Sequence, residues 1–165
     1  NGEGILEALE RRPSEARVRA YERLVEHELM AARKAKLLPG AADVLTAVRM
    51  AGLKTALLTR NTREATRIVL TNHPSLQFDL VVCREDGPAK PDAQAVLNIC
   101  EQLHIAPKRT ACLGDYHYDI IAANAAGATS ILLTTLHDRP DFADWCGEAN
   151  YRIDRLDEML GLLGL

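Results

Sequence analysis

After Pro39-Gly40 the chain alternates short β-branched or leucine-rich runs with longer amphipathic stretches, and this alternation restricts the fold more than any other feature. The runs 55–59, 80–83, 110–113 and 130–133 read as buried strands. Between them, Val44, Leu45 and Val48 mark a helix that closes at Gly52, and the stretches 62–70 and 92–104 mark two more. A further helix ends at Gly127, and a weak strand at 151–153 precedes a last helix expected to be capped by Asp154. Strands and helices in this order predict an α/β fold, a Rossmann-like parallel sheet with helices on both faces. Such sheets hold their ligands at the carboxyl ends of the strands.

The stretch before Pro39 has a different character. Ile5, Leu6 and Leu9 form a short apolar stripe that ends near Arg12-Pro13. Ser14 is an expected N-cap, because its hydroxyl can accept from an orphan N–H of the first turn. Ala20, Tyr21, Leu24, Val25 and Leu29 then recur at helical spacing until the pattern fades around Lys34 and Lys36. The expected division is a helical segment, residues 1–37, and an α/β core, residues 38–165.

Composition narrows the function classes. A net charge of -3 gives no basic footprint for nucleic acid, and 4% aromatic content leaves few platforms for stacking bases. No apolar run reaches the ~18–20 residues that cross a bilayer, so no membrane partner is expected. Cys83, Cys100, Cys112 and Cys146 form no C-x-x-C pair, which argues against zinc or a redox dithiol. Scattered free thiols suit a reducing cytoplasm. His27, His73, His104 and His137 are dispersed and suggest no metal cluster. Asp138, Asp141 and Asp144 read as solvated acids at a helix start.

Chemistry-bearing residues stand at the ends of three predicted strands. The first ends in Thr59-Arg60-Asn61 with a helix starting at once. A hydroxyl there, beside the free N–H groups of a helix N-terminus, is placed to hold a phosphate oxygen, although a threonine in this position also serves as an ordinary cap. The loop after the second strand carries Ala89-Lys90-Pro91-Asp92. Proline keeps Lys90 out of the helical region and so holds a point charge on an extended stretch. The third strand ends in Leu113-Gly114-Asp115-Tyr116-His117-Tyr118-Asp119. Its two carboxylates can converge on a hard cation such as Mg²⁺, or simply complement a helix dipole. His117 is expected to be an exposed loop histidine.

Hydroxyl, lysine and paired acids, in that order at successive strand ends, resemble the haloacid-dehalogenase-like (HAD) superfamily. Thr59 matches its second motif, Lys90-Pro91 its third, and Gly114-Asp115 with Asp119 its fourth, G-D-x-x-x-D. Leu38-Pro39-Gly40, Phe78-Asp79 and Ala125-Ala126-Gly127-Ala128 are similar to the connecting stretches of phosphoglycolate-phosphatase-like members. The resemblance covers nearly everything from Leu38 to Leu165. It implies a Mg²⁺-dependent phosphomonoester hydrolase acting on a small phosphorylated metabolite. Thr59, Arg60, Asn61 and Lys90 would hold phosphate, Thr59 and Lys90 would serve catalysis, and Asp115 and Asp119 would serve the metal. The helical segment 1–37 would be part of a cap.

One departure stands out. The family's first strand carries D-x-D-G-T, whose aspartates are nucleophile and general acid/base, yet no Asp-x-Asp occurs in this chain; Glu85-Asp86-Gly87 lies after the wrong strand. By resemblance the missing strand would sit mid-sheet, between the strands that end at Thr59 and Asp115. The expectation is therefore a truncated sequence, inactive as written, rather than an evolved pseudoenzyme. Two other readings stand beside it: a non-catalytic binding or regulatory protein, and a haloacid dehalogenase, which would not need the metal acids. A receiver domain uses acids, threonine and lysine in a different chain order. Substrate and oligomeric state are not legible.

Overall fold

The structure, a computed structural model, describes residues 8, 9, 11, 13–135 and 141–165. Ile5, Leu6, Arg12, His137 and Asp138 lie outside the described residues. Helix α1, Ser14–Lys34, begins one residue earlier than a Ser14 cap requires. Pro13 takes the cap position, and its carbonyl accepts from the Arg17 N–H at 2.8 Å, so Ser14 is already helical. Ala32 is the one fully buried side chain of this 21-residue helix, which lies against α3, Arg63–Asn72. Helix α2, Ala41–Met50, follows the Pro39-Gly40 turn.

Five described strands follow in the expected order, all paired in parallel: β1, Ala56–Leu58; β2, Leu80–Val82; β3, Ala111–Gly114; β4, Thr129–Leu133; and β5, Tyr151–Ile153. They form two ladders. β1 pairs with β2, placing Leu57 opposite Val81, while β3, β4 and β5 form a separate three-stranded sheet. Among the described residues, none pairs β1 to β3. Burial follows from this division. β4 has neighbours on both edges and is buried from Ser130 to its end, whereas every residue of β1, β2 and β3 is only half-buried.

One helical layer underlies both ladders. Helices α4, Ala93–Leu103, and α5, His117–Ala126, pack through Val96, Cys100, Ala122, Ala123 and Ala126. The alanines keep the helices close, and both Leu58 of β1 and Cys112 of β3 rest on this cluster. Gly127 ends α5 at φ 74, a left-handed turn that glycine adopts without strain. On β4, Ile131 and Leu133 pack with Ile153, while Leu132 turns the other way to meet Ile120 and Trp145. Each such fully buried aliphatic side chain contributes about 1.5–3 kcal/mol.

Two short helices complete the chain, α6, Phe142–Trp145, and α7, Glu158–Leu163. Asp154 does not cap the last helix. Its carboxylate instead accepts from the Thr134 hydroxyl, and α7 starts after Asp157. All four cysteines are free thiols. Burial pushes the Cys112 thiol up to about 11, so it stays protonated and unreactive at neutral pH. No helix among the described residues is long and apolar enough to cross a membrane.

Candidate active site

The three strand-end motifs meet. Lys90 extends its ammonium group to the carbonyl oxygen of Leu58, 3.0 Å away at the end of β1, and to Asp119 Oδ1, 2.5 Å away in the first turn of α5. The pair is well shielded, its side chains 17% and 10% exposed. The other Asp119 oxygen accepts from the Tyr116 N–H at 3.0 Å, while the Asp119 N–H donates to the Tyr116 carbonyl at 2.9 Å. This reciprocal pairing anchors the start of α5 and fixes the carboxylate. Gly114 is needed beside it, because a Cβ at that position would overlap the Asp119 carboxylate.

Thr59 lies just past β1, its N–H donating to the Val82 carbonyl at 2.9 Å. Its hydroxyl oxygen accepts from the Asn61 N–H at 3.1 Å, which leaves the hydroxyl hydrogen as a donor. Arg60 donates to the Lys90 carbonyl at 2.9 Å and lies over the Tyr118 ring, 4.8 Å from its centroid. That contact ties the first loop to the second. Asn61 is exposed.

At the N-terminus of the following helix, α3, three amides donate to side chains. Its first amides already have acceptors: Arg63 N–H donates to the Glu85 carboxylate at 3.0 Å, Thr62 N–H to Glu28 at 3.3 Å, and Ala65 N–H to the Thr62 hydroxyl at 3.3 Å. Carboxylates from distant parts of the chain fill the anion position that the helix dipole favours.

The two acids of the fourth motif differ. Asp115 is exposed at the end of β3, whereas Asp119 is shielded and engaged on both oxygens. Among the described residues there is no cluster of three His, Cys, Asp or Glu side chains that could hold a metal. Magnesium often binds through one or two carboxylates with retained waters. Asp115 could offer an exposed carboxylate to such an ion, while both Asp119 oxygens are already engaged by Lys90 and the Tyr116 N–H.

His117 is not a free loop histidine. It is the first residue of α5, stacked on Trp145 with ring centroids 5.0 Å apart, and its Nε2 lies 2.9 Å from Glu148. Asp144 is exposed, and Asp141 directly precedes α6.

Three residues near the site had no local signal in the sequence. Arg84 donates through Nε to the Arg60 carbonyl at 2.7 Å, pairs with Glu28 of α1, and stands over Tyr21, 5.6 Å from its ring centroid. Glu28 precedes Arg84 by 56 positions, a separation that no periodicity reports. Between α1 and the strand-end loops lies a cleft of about 750 Å³ lined by Arg17, Val18, Tyr21, Arg60, Arg84 and Lys90. This volume lies within the usual range of ligand pockets. A smaller cavity of about 280 Å³ runs along β2 and α4, away from these groups.

A lysine–aspartate pair stands where the strand ends of this parallel α/β fold converge, the edge at which open α/β sheets generally carry their ligand crevices. The chain belongs to the haloacid dehalogenase-like hydrolases, whose family profile it matches over residues 1–133. It is 28% identical over 166 residues to a haloacid dehalogenase-like hydrolase domain-containing protein of Arabidopsis thaliana, which covers 99% of this chain and 67% of that protein. It is 36% identical over 111 residues to a phosphoglycolate phosphatase of Nitrosospira multiformis, covering 66% of this chain and 48% of that one. The chain thus spans between about half and two thirds of these curated relatives. A hydrolase from Pseudomonas syringae has the same fold, with a TM-score of 0.80 over 95% of this chain and 73% of that one, at 21% identity.

Proposed function

We propose that this site binds the phosphoryl group of a small phosphorylated metabolite and belongs to a Mg²⁺-dependent phosphomonoester hydrolase. The supporting observation is the Lys90 ammonium between the end of β1 and Asp119, which holds a positive charge where the strand ends converge. The Thr59 hydroxyl, with Arg60 and Asn61 on the same loop, would hold phosphoryl oxygens. Lys90 would balance the negative charge gathered by phosphate and carboxylates, an electrostatic role of large effect in a shielded site. Asp115 would be the metal's carboxylate ligand, and Asp119 would keep Lys90 in place. Bound there, magnesium would supply charge that aligns the phosphate and offsets its repulsion of an attacking carboxylate.

By family resemblance the attacking carboxylate belongs to D-x-D-G-T, which this sequence lacks. On this reading the residues of this chain would bind phosphate, and hydrolysis would require the carboxylates of that motif. Segment 1–37 would act as part of a cap over the core 38–165, and the cleft beneath α1 would select the substrate.

Calorimetry of inorganic phosphate and a Mg²⁺-dependent assay with an aryl phosphate test this reading, once a cooperative melt has shown the material to be folded. We expect measurable phosphate binding, weakened at least tenfold by Lys90→Ala, and no saturable turnover. In a form containing D-x-D-G-T, Asp115→Asn should reduce turnover about 10²-fold or more, the scale of losing one strong electrostatic group. Saturable hydrolysis by the 165-residue chain would show that another residue is the nucleophile.

A further inference from the structure

Residues 114–119 form a turn with no slack. Gly114 lies so close to Asp119 that a Cβ would overlap the carboxylate. Asp119 also bonds Tyr116 twice, accepting from its N–H and donating to its carbonyl. A displacement of this turn therefore carries Asp119 with it, and with Asp119 the Lys90 ammonium that it holds. Where the turn sits is decided by what its outward side chains hold.

Those side chains are held on two sides. Tyr118 lies under Arg60, which also donates to the Lys90 carbonyl, so that contact ties the turn to the other site loops. His117 is held from the core instead. Its ring is stacked on Trp145, 15° from parallel with centroids 5.0 Å apart, within the separations that aromatic pairs favour. Its Nε2 lies 2.9 Å from Glu148 Oε2. Trp145 is itself fixed by packing, 4% exposed against the fully buried Ile120 and Leu132. Glu148 is fixed through its carbonyl, which accepts from Asn124 Nδ2 at 2.9 Å, while Asn124 Oδ1 accepts from the buried Ser130 hydroxyl at 2.7 Å. His117 and Asn124 stand two turns apart on α5, so one face of that helix engages Glu148 twice. None of these partners belongs to the loops that carry Thr59 or Lys90.

We infer that His117 is a positioning residue: its ring, laid on Trp145, fixes the first turn of α5 and so sets where Asp119 holds the Lys90 ammonium. This rests on the reading of Lys90 as a phosphate-binding group and adds to it the element that locates the charge. The role belongs to the flat ring. The Glu148 side chain is 50% exposed, where a polar contact is screened by water, whereas the Trp145 face is buried. Such sites are steep in position, since a misplacement of about 1 Å can cost about 10²-fold.

The test is calorimetric titration of the 165-residue chain with inorganic phosphate, with urea midpoints measured alongside. The variants are His117→Ala, His117→Phe and Phe142→Leu, and His117→Gln replaces His117→Ala if the latter does not melt cooperatively. Phe142 also meets Trp145, ring centroids 5.2 Å apart, but stands on α6, so Phe142→Leu loosens the same cluster without releasing α5. Loss of the ring should weaken phosphate binding at least about fivefold, a fraction of the cost of a ~1 Å misplacement. His117→Phe should restore it to within about twofold of the parent, because the ring is kept. Phe142→Leu should lower the urea midpoint and leave phosphate affinity unchanged. No phosphate binding by the parent overturns the reading of Lys90 and this inference with it. Binding that survives loss of the ring overturns the inference alone. Equal weakening in His117→Phe also overturns it, by giving the role to the Glu148 contact. A loss of affinity in Phe142→Leu that matches its loss of stability overturns it as well, by reducing His117 to one member of the core.

Discussion

Lys90 and Asp119 form a shielded ion pair that joins the loop after β2 to the first turn of α5, 29 positions along the chain. Removing one partner leaves the other charge uncompensated, so Lys90→Met or Asp119→Asn should each cost about 3 kcal/mol. The double substitution should cost less than the two singles together by at least about 1 kcal/mol. Urea unfolding of the four proteins measures this, and strict additivity would show that the pair is not coupled.

Gly114 protects that arrangement. Gly114→Ala forces a methyl group into the Asp119 side chain, and we expect a loss of about 1–3 kcal/mol, the usual range for overpacking. Gly147→Ala is the control, since nothing lies within 4 Å of the place its added methyl group would take. Equal melting temperatures for the two variants would contradict the close approach.

Arg84 fastens α1 to the site loops through Glu28 and Tyr21, with the ion pair 11% and 13% exposed. Arg84→Ala should lower stability by about 3 kcal/mol and speed proteolysis within α1. Arg84→Lys should recover only part of it, because a lysine cannot bond Glu28 and the Arg60 carbonyl with one planar group. Unchanged cleavage of α1 in Arg84→Ala would mean that the helix is held by its packing on α3 alone.

Asp79 gives a pH signature. The Thr55 N–H and the Lys54 ammonium hold its carboxyl at about 2. A depressed folded value means that its stabilisation is fully present above the ordinary carboxylate value of 3.8 and is lost as pH falls towards about 2. Asp79→Asn should therefore be less stable than the parent at pH 6, with the gap closing between pH 4 and pH 2. A gap that stays constant across this range would remove the ionised carboxylate as its cause.

What the residues fixed by themselves was local. Short apolar runs between amphipathic stretches set the order of strands and helices, because period and turn residues act within a few positions. Thr59, Lys90 and the Gly114-Asp115 pair with Asp119 could be singled out because each stands where a strand ends. Tertiary structure decided the rest. It separated the strands into two ladders between β1 and β3, since pairing depends on which chain segment is available at each edge. It gave Asp119 to Lys90 and left Asp115 exposed, although the sequence presents the two acids alike. It also brought Glu28 and Glu85 to the N-terminus of α3, and laid His117 on Trp145. Those partners lie 22 to 34 positions away, or across a helix, where folding alone brings charge and ring together.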